Sequence, residues 1–205
     1  MSLVVCDIAM SIDGYVAGTN QSLEEPLGMI EGRPPEWVMH QMHDWMFTTP
    51  EENQPEIDQI VDAGAFIMGR NMFGPIRGEH DPDWHGWWGA DPPYHGPVFV
   101  LTHHPREDLP MDGGTTFHFV TDGIQEALER ARAAAGERNV SVAGGASTVN
   151  QFLAAGLIDE LRVHISPLIL GAGERLFDGV PTTVLEQVSS RAASLVTHIT
   201  YRPVR

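Results

Sequence analysis

The chain has 205 residues, of which 42% are hydrophobic, and a formal net charge of −16 at pH 7. This composition favours a folded core, and the negative field excludes nucleic acid as a partner because it repels a phosphate backbone. No apolar run approaches the roughly 20 residues of a membrane helix, the N-terminus is typical of a strand rather than a signal peptide, and Cys6 is the only cysteine. We therefore expect a cytoplasmic protein without a disulfide or a membrane partner.

The first half of the chain contains a strand, two helices and a second strand. Both predicted strands are short apolar runs. The first helix opens at Pro34-Pro35, because proline is favoured in a first helical turn, and the second carries its apolar residues on one side. In chain order these four elements span residues 3–10, 34–47, 56–62 and 65–68.

A long segment rich in proline, glycine, histidine and tryptophan follows, from residue 75 to residue 96. Loops of this length inside compact domains are usually functional. Its rings either form a lid that stacks on a planar substrate or cover the core or a dimer interface. They belong to His80, Trp84, His85, Trp87, Trp88 and Tyr94.

The second half alternates strands and helices and ends in a hairpin. One helix is capped by Asp122, and another starts after Gly144-Gly145 and stops at Gly156. The strands span 98–101, 116–120, 140–143, 158–165, 184–189 and 195–201. Helices between strands imply parallel pairing, so residues 1–205 are expected to form one α/β domain. Its central sheet has about eight strands, mostly parallel, with helices on both faces and a C-terminal antiparallel hairpin.

Two strand-to-loop junctions carry groups that suit a phosphate. Open α/β sheets bind ligands at the carboxyl ends of their strands. Gly69 permits close backbone approach and Arg70 offers a guanidinium, although a tight turn with a surface arginine is the alternative. Thr102 supplies a hydroxyl beside His103 and His104, or simply ends a polar strand. No carboxylate accompanies this histidine pair at ligand spacing, so we expect no metal.

A third junction is the strongest, because a strand ends in Gly144-Gly145 immediately before a helix. The N-terminus of a helix presents free N–H groups and the positive end of its dipole to an anion. Ser147 and Thr148 add hydroxyl donors in the first turn. The G-x-G-x-x-G fingerprint is missing, so a simple tight turn remains the alternative.

Five segments together carry a resemblance to a known family. They are Ser11–Ala17, Met68–Phe73, Val98–Thr102, Val142–Ala146 and the stretch Gly156–Gly173. In their order and spacing the chain resembles the dihydrofolate-reductase-like family that includes the C-terminal reductase domain of bifunctional riboflavin-biosynthesis enzymes. The resemblance covers nearly the whole chain.

The resemblance implies a reductase with NADPH across the strand ends, transferring hydride to a C=N or C=O carbon of a pterin- or pyrimidine-like substrate. It places the adenosine side at Gly69, Arg70 and Asn71, and the 2′-phosphate at Thr102 and His103. The loop ending at Ala17 would cover the nicotinamide. The pyrophosphate would lie on Ala143, Gly144, Gly145, Ala146, Ser147 and Thr148, with a cis peptide inside the glycine pair.

Four residues are candidates for the substrate side. Asp13, beside the nicotinamide, either orients its loop or relays a proton, with an ordinary Asp-Gly turn as the alternative. Asp44 is a candidate general acid, because desolvation raises the pKa of a buried carboxyl, unless it lies on the helix surface. Trp45 and Leu170 are the other predicted substrate contacts.

Two positions depart from the riboflavin reductases. The lysine expected four residues before Ser11 is Asp7, and the glutamate expected before the glycine pair is Ala143. Both changes remove polar groups that would meet a ribityl-phosphate substrate. Two alternatives therefore stay open: an NADPH-binding regulatory module without turnover, or a 5-amino-6-(5-phosphoribosylamino)uracil reductase of riboflavin biosynthesis. We also expect a homodimer formed through the C-terminal hairpin.

Overall fold

The computed structural model describes residues 2–75 and 78–204. In chain order the elements are β1 (Val4–Ser11), β2 (Tyr15–Ala17), α1 (Trp37–Phe47), α2 (Pro50–Val61), β3 (Ala65–Gly69), α3 (Arg70–Phe73), β4 (Pro97–Leu101), β5 (Leu109–Pro110), β6 (Thr116–Val120), α4 (Gly123–Ala135), β7 (Val140–Gly144), α5 (Ala146–Ala154), β8 (Glu160–Ser166), β9 (Glu174–Arg175), β10 (Leu185–Ala192) and β11 (Thr197–Pro203).

In the part of the chain that the structure describes, nine strands form one sheet in the order β10-β11-β8-β1-β7-β3-β4-β6-β5. The strands from β8 to β6 pair in parallel, whereas the hairpin at one end and β5 at the other are antiparallel. This confirms the predicted α/β fold with a mostly parallel sheet and a C-terminal hairpin. The two-residue β5 extends the sheet by one edge strand, and β2 with β9 forms a separate antiparallel ribbon.

The two faces of the sheet are covered by different elements. On β1, the alternate residues Cys6 and Ile8 pack in the core cluster that α4 and α5 cover. Ala9 points the other way and packs with Val38 and Met42 of α1. Helices therefore lie on both faces, as predicted from the alternation of elements. Among the described residues no helix has the length and apolar character needed to span a bilayer.

Helix α2 begins at Pro50, well before the start predicted near Glu56. Proline is favourable in a first helical turn, but an interior proline such as Pro55 normally ends or kinks a helix. Here the buried Asn53 holds the first turn in place, because its side-chain amide donates to the carbonyl groups of Trp45 and Thr49. These tertiary contacts outweigh the local effect of Pro55.

The tryptophans of the long loop cover the core beside β4 and β6. Trp88 stacks on Phe117 at a ring distance of 5.8 Å, and the indole N–H of Trp84 donates to the Phe73 carbonyl. Both rings pack against a second buried cluster. Of the two interpretations of these rings, the arrangement favours the core cover.

Candidate functional site

The carboxyl ends of β7, β3 and β4 are neighbours at one edge of the sheet. In the parallel registers Met68 pairs with Gly144, and Gly69 pairs with Leu101. The turn after β3 touches the first turn of α5, since a Cβ on Gly69 would collide with Thr148 Oγ1. The structure thus brings the three sequence-predicted junctions side by side.

Gly145 precedes α5 in extended conformation, and the Gly144–Gly145 peptide is cis. The N–H groups of Thr148 and Val149 both donate to the Gly145 carbonyl. The earlier N–H groups, on Ala146 and Ser147, belong to the part of a helix that has no acceptor within the helix itself. A Cβ on Gly145 would meet nothing within 4 Å, so the space beside Gly145 is open. The arrangement suits an anion.

Basic side chains lie around the ends of β3 and β4. The Arg70 guanidinium donates to the carbonyl groups of Gly78 and Glu79. His80 Nε2 lies 3.0 Å from the His104 carbonyl oxygen and 3.3 Å from Thr102 Oγ1. The pKa of His80 is lowered by burial and by the positive charge of Arg70.

Arg106 also belongs to this group, although its sequence context did not mark it as a site residue. Its guanidinium donates to the carbonyl groups of Trp84 and Pro82 and lies 5.2 Å from the centre of the Phe119 ring. A cleft of about 370 Å³ opens beside it, lined by Glu79, His80, Pro82, His104, Pro105 and Arg106. The signal that sequence reasoning could have used is a basic residue shortly after a strand end in a very acidic chain.

Asp13 ties two distant segments together. Its carboxylate accepts the Ser11 hydroxyl at 2.6 Å and the N–H groups of Leu170 and Gly171 at 3.1 and 2.7 Å. Burial raises the pKa of Asp13, but these hydrogen bonds outweigh it, so the pKa lies below its ordinary value. The carboxylate is therefore ionised at neutral pH and has no proton to donate. This geometry favours the orienting role over the proton relay.

The other predicted cofactor residues are distributed around the same edge. Asn71 is half-buried in α3, and His103 is exposed just after β4. Ala143 is half-buried near the end of β7. Ala17 is buried in the β2–β9 ribbon, where it pairs with Glu174.

The predicted substrate residues differ in their surroundings. Leu170 is buried and packs with Val38 and Met42 at the strand ends. Asp44 is about one-third exposed and its Oδ1 lies 3.4 Å from His40 Nδ1, so it lies on the helix surface and not among buried aromatic rings. Trp45 is only 1% exposed and packs inside the molecule. Nowhere in residues 2–75 and 78–204 do three or more His, Cys, Asp or Glu side chains form a metal-binding group.

Asp7, one of the two positions that depart from the riboflavin reductases, lies inside the molecule. The Asp7 side chain is 2% exposed and its Oδ2 accepts Arg162 Nη1 at 3.3 Å. Arg162 also binds Glu160, which pairs with Arg202. Asp7 is thus part of a polar network that spans β1, β8 and β11.

Comparison with known proteins identifies the family. The chain belongs to the RibD C-terminal domain family, whose model matches residues 2–199. The uncharacterized protein YyaP of Bacillus subtilis (strain 168) is 24% identical over 198 residues, covering 93% of this chain and 89% of that protein. The recognition of a riboflavin-reductase-like relative from the motifs is confirmed.

Solved structures share the fold. A putative riboflavin biosynthesis protein from Shewanella sp. PV-4 has a TM-score of 0.63 and 23% identity, with 99% of both chains covered. RibD of Acinetobacter baumannii has a TM-score of 0.59 and 16% identity, covering 100% of this chain and 58% of its own. A pyrimidine reductase-like protein from Corynebacterium diphtheriae has a TM-score of 0.57 and 15% identity, covering 99% of this chain and 92% of its own.

Proposed function

We propose that this chain is an NADPH-dependent reductase acting on a C=N or C=O carbon of a small pterin- or pyrimidine-like substrate. The observation that carries the proposal is the convergence of three turns at one sheet edge, with the N-terminus of α5 among them. Membership of the RibD C-terminal domain family and the likeness to a reductase-like protein support it.

The residues present fit a phosphorylated dinucleotide. The first N–H groups of α5 and the Ser147 hydroxyl suit the pyrophosphate, because the space beside Gly145 is open. Thr102 and His103 remain the predicted contacts of the 2′-phosphate, with Arg70 and Arg106 adding positive charge nearby. When bound, the reduced nicotinamide supplies the hydride.

On the substrate side the chain contributes position more than chemistry. The Asp13 carboxylate holds the loop before Tyr15 against the turn at Leu170, so both remain in place over the strand ends. Leu170, which is buried against Val38 and Met42, stays a predicted substrate contact, as do Asp44 and Trp45 on α1. A substrate held in this way reacts faster because the reacting atoms are already aligned.

Calorimetric titration with NADPH and NADH tests the cofactor. A phosphate bound by charged hydrogen bonds contributes about 1.5–3 kcal/mol, so NADPH should bind about tenfold or more tightly than NADH. Thr102→Val should reduce this difference, whereas Thr121→Val, an exposed threonine after β6, should leave it unchanged. If NADPH and NADH bind with equal affinity, Thr102 and His103 do not have the proposed role. If neither nucleotide gives a heat of binding, the proposal is overturned.

Turnover separates the reductase from the two alternatives. We expect NADPH consumption with a member of a panel of pterins, pyrimidines and small carbonyl compounds. Binding without turnover identifies a regulatory module. Activity on 5-amino-6-(5-phosphoribosylamino)uracil identifies the riboflavin-pathway reductase, and we expect none because Asp7 replaces the lysine and is already paired with Arg162.

A further inference from the structure

Asn150 is a buried polar residue one turn after the start of α5. The helix begins at Ala146, so Ala146 and Asn150 share one side of it, and Asn150 is only 8% exposed. Asparagine is unfavourable inside a helix, because its amide competes for main-chain hydrogen bonds. The reason for its place on a buried side must therefore lie in the partners of that amide.

The side-chain amide of Asn150 binds the edge of an extended segment. Its Nδ2 donates to the Arg175 carbonyl at 3.1 Å, and its Oδ1 accepts the Phe177 N–H at 2.7 Å. In a parallel ladder one residue of the partner strand binds the same two main-chain groups. The carbonyl can only accept and the N–H can only donate, so these partners fix the orientation of the amide.

The bound segment belongs to the unit that Asp13 holds at the strand ends. We call residues 168–177 the substrate-side loop. The Asp13 carboxylate accepts two of its main-chain N–H groups. The Leu176 N–H donates to the Gly14 carbonyl, and β9 pairs with β2. One side of the substrate-side loop is therefore attached to the loop that contains Asp13.

The other side of the substrate-side loop lies against α5. Leu176 is 2% exposed and packs in the core cluster that contains Val149 and Phe152 of the helix. Phe177, the next residue, has a φ of 75°, a conformation that is unfavourable for a residue with a Cβ. Because Asn150 accepts the N–H of this residue, it stabilises a part of the loop that would otherwise relax.

The same helix carries the predicted phosphate site at its start. The N–H groups of Thr148 and Val149 donate to the Gly145 carbonyl. Those of Ala146 and Ser147 have no acceptor within the helix. Asn150 follows one turn later, about 6 Å along the helix axis from Ala146. A group bound at the start of α5 is thus separated from the Asn150 amide by a single helical turn.

We propose that Asn150 is a positioning residue that links the cofactor-binding end of α5 to the substrate-side loop. The inference rests on the proposed function. A pyrophosphate on the first N–H groups of α5 restricts the first turn of the helix, and the Asn150 amide passes this restriction to the loop. Cofactor binding then favours the ordered loop, so the substrate binds more tightly to the loaded protein. Asn150 itself contacts neither ligand.

Hydrogen exchange of the main-chain amides tests the link without turnover. In the wild-type chain NADPH should slow exchange about tenfold at residues 146–149 and in the substrate-side loop, because the two become ordered together. In Asn150→Leu, which removes both side-chain hydrogen bonds at similar volume, NADPH should slow exchange at residues 146–149 alone. Loop protection that persists in this variant comes from direct contact with the nucleotide and overturns the link.

The wild-type measurement decides the matter even if the variant does not fold. If NADPH protects residues 146–149 but leaves the substrate-side loop unchanged, the link is overturned. A second probe is 2′-phospho-ADP-ribose, which carries the pyrophosphate without the nicotinamide. It should protect the loop as NADPH does, and protection by NADPH alone contradicts a signal that starts at α5.

A second variant and a control isolate the amide. Asn150→Asp keeps the shape and the acceptor for the Phe177 N–H but loses the donor to the Arg175 carbonyl, so it should also lose the loop response. Asn139→Leu is the control, because Asn139 Oδ1 also accepts a main-chain N–H, that of Leu3, at the opposite end of β7. The control should respond to NADPH as the wild type does. A loop response lost in the control as well shows a general loss of order and overturns the link.

Kinetics test the substrate side with whichever compound the panel identifies. In Asn150→Leu the KM for the substrate should rise about tenfold, while kcat and the NADPH affinity change less than about twofold, because the loop is ordered only when the substrate binds. Asn139→Leu should match the wild type. An unchanged KM in Asn150→Leu overturns the link. An equal loss of NADPH affinity shows that Asn150 acts on the phosphate site itself and overturns it too.

Failure of the link and failure of the proposed function give different results. If NADPH gives neither a heat of binding nor protection at residues 146–149, the proposed function fails and the link fails with it. If NADPH protects residues 146–149 of the wild type and not the loop, the link alone fails and the cofactor site stands.

Discussion

Asp13 links residues that are more than 150 positions apart in the chain through one carboxylate. Each of its three hydrogen bonds involves a charged acceptor, and such bonds contribute more than neutral ones. The neighbouring main chain adds two further links, from Ile12 N–H to the Leu168 carbonyl and from Leu176 N–H to the Gly14 carbonyl. The two loops therefore behave as one unit at the strand ends.

Replacing this carboxylate by an amide tests that unit. In Asp13→Asn one side-chain acceptor becomes a donor that faces a backbone N–H, so we expect a loss of about 1–3 kcal/mol in the free energy of unfolding. Urea denaturation measures the change. Asp178→Asn, at an exposed aspartate, serves as the control. Equal stability of both variants would show that the loops do not depend on Asp13.

A second prediction concerns His43 and the stability of the folded chain at acid pH. Its pKa is lowered to about 4 from an ordinary value of 6.5, chiefly by burial. Between these values the unfolded chain binds more protons than the folded chain, so stability is complete above about pH 6.5 and falls as the pH drops toward 4.

His43→Leu removes this proton uptake. The stability lost between pH 7 and pH 4.5 should be about 2 kcal/mol smaller than in the wild type. Urea unfolding at the two pH values measures the difference, and His40→Gln, at an exposed position on the same helix, is the control. The same pH dependence in all three proteins would contradict the assignment to His43.

At the scale of elements, the close contact between β3 and α5 can be tested by substitution. Gly69→Ala places a methyl group against Thr148 Oγ1, and we expect a loss of about 1–3 kcal/mol in stability because overpacked sites must shift. Combining it with Thr148→Ala removes the colliding oxygen and should recover most of the loss.

A double-mutant cycle measured by urea denaturation checks this contact. The coupling between the two substitutions should be favourable, since residues in contact are not additive. Gly136→Ala is a suitable comparison, because a Cβ there meets no atom within 4 Å and the penalty comes only from its positive φ. Full additivity would mean that α5 can move away from β3 at little cost.

The sequence predicts elements best where local pattern and burial agree. The apolar runs that became β3, β4, β6 and β7 were located to within one residue, because each lies between clear turn signals. The ribbon of β2 and β9 was not predicted, since two- and three-residue strands exist only through their partner. The start of α2 was wrong because Asn53 contacts override Pro55.

The residues of the candidate site also divide into those with a local sequence signal and those without one. Glycine and hydroxyl residues at strand ends mark the three junctions, because turn chemistry is local. Arg106 and the ion pair of Asp7 with Arg162 carry no local signal, since their partners are distant in the chain. Asp7 and Arg162 are 155 residues apart. Sequence patterns mark the three turns at the strand ends but not the buried charges.

At the scale of the whole molecule, the homodimer stays a prediction. Most side chains of the edge strand β10 are exposed. Val188 is 43% exposed and lies where the register between β10 and β11 is irregular. An irregular edge resists continuous strand pairing, so we expect the two copies to meet through the hairpin face.

Light scattering after size exclusion tests the assembly. The wild-type chain should have twice the mass of the 22.5 kDa monomer. Val188→Lys should give the monomer because it puts a charge on the contact, and Val204→Lys, an exposed valine beyond the hairpin, should not. A monomeric wild type at micromolar concentration would contradict the prediction.

The position of β1 between β7 and β8 has a consequence for biosynthesis. Strand β1 has both of its hydrogen-bonding edges unmatched until residues 140–166 have been made. Such long-range pairing slows folding, because a large loop must close before any ladder forms. During synthesis β1 therefore stays without its partner strands while more than roughly a hundred residues are added, and a chaperone that binds this apolar segment should help the chain to fold.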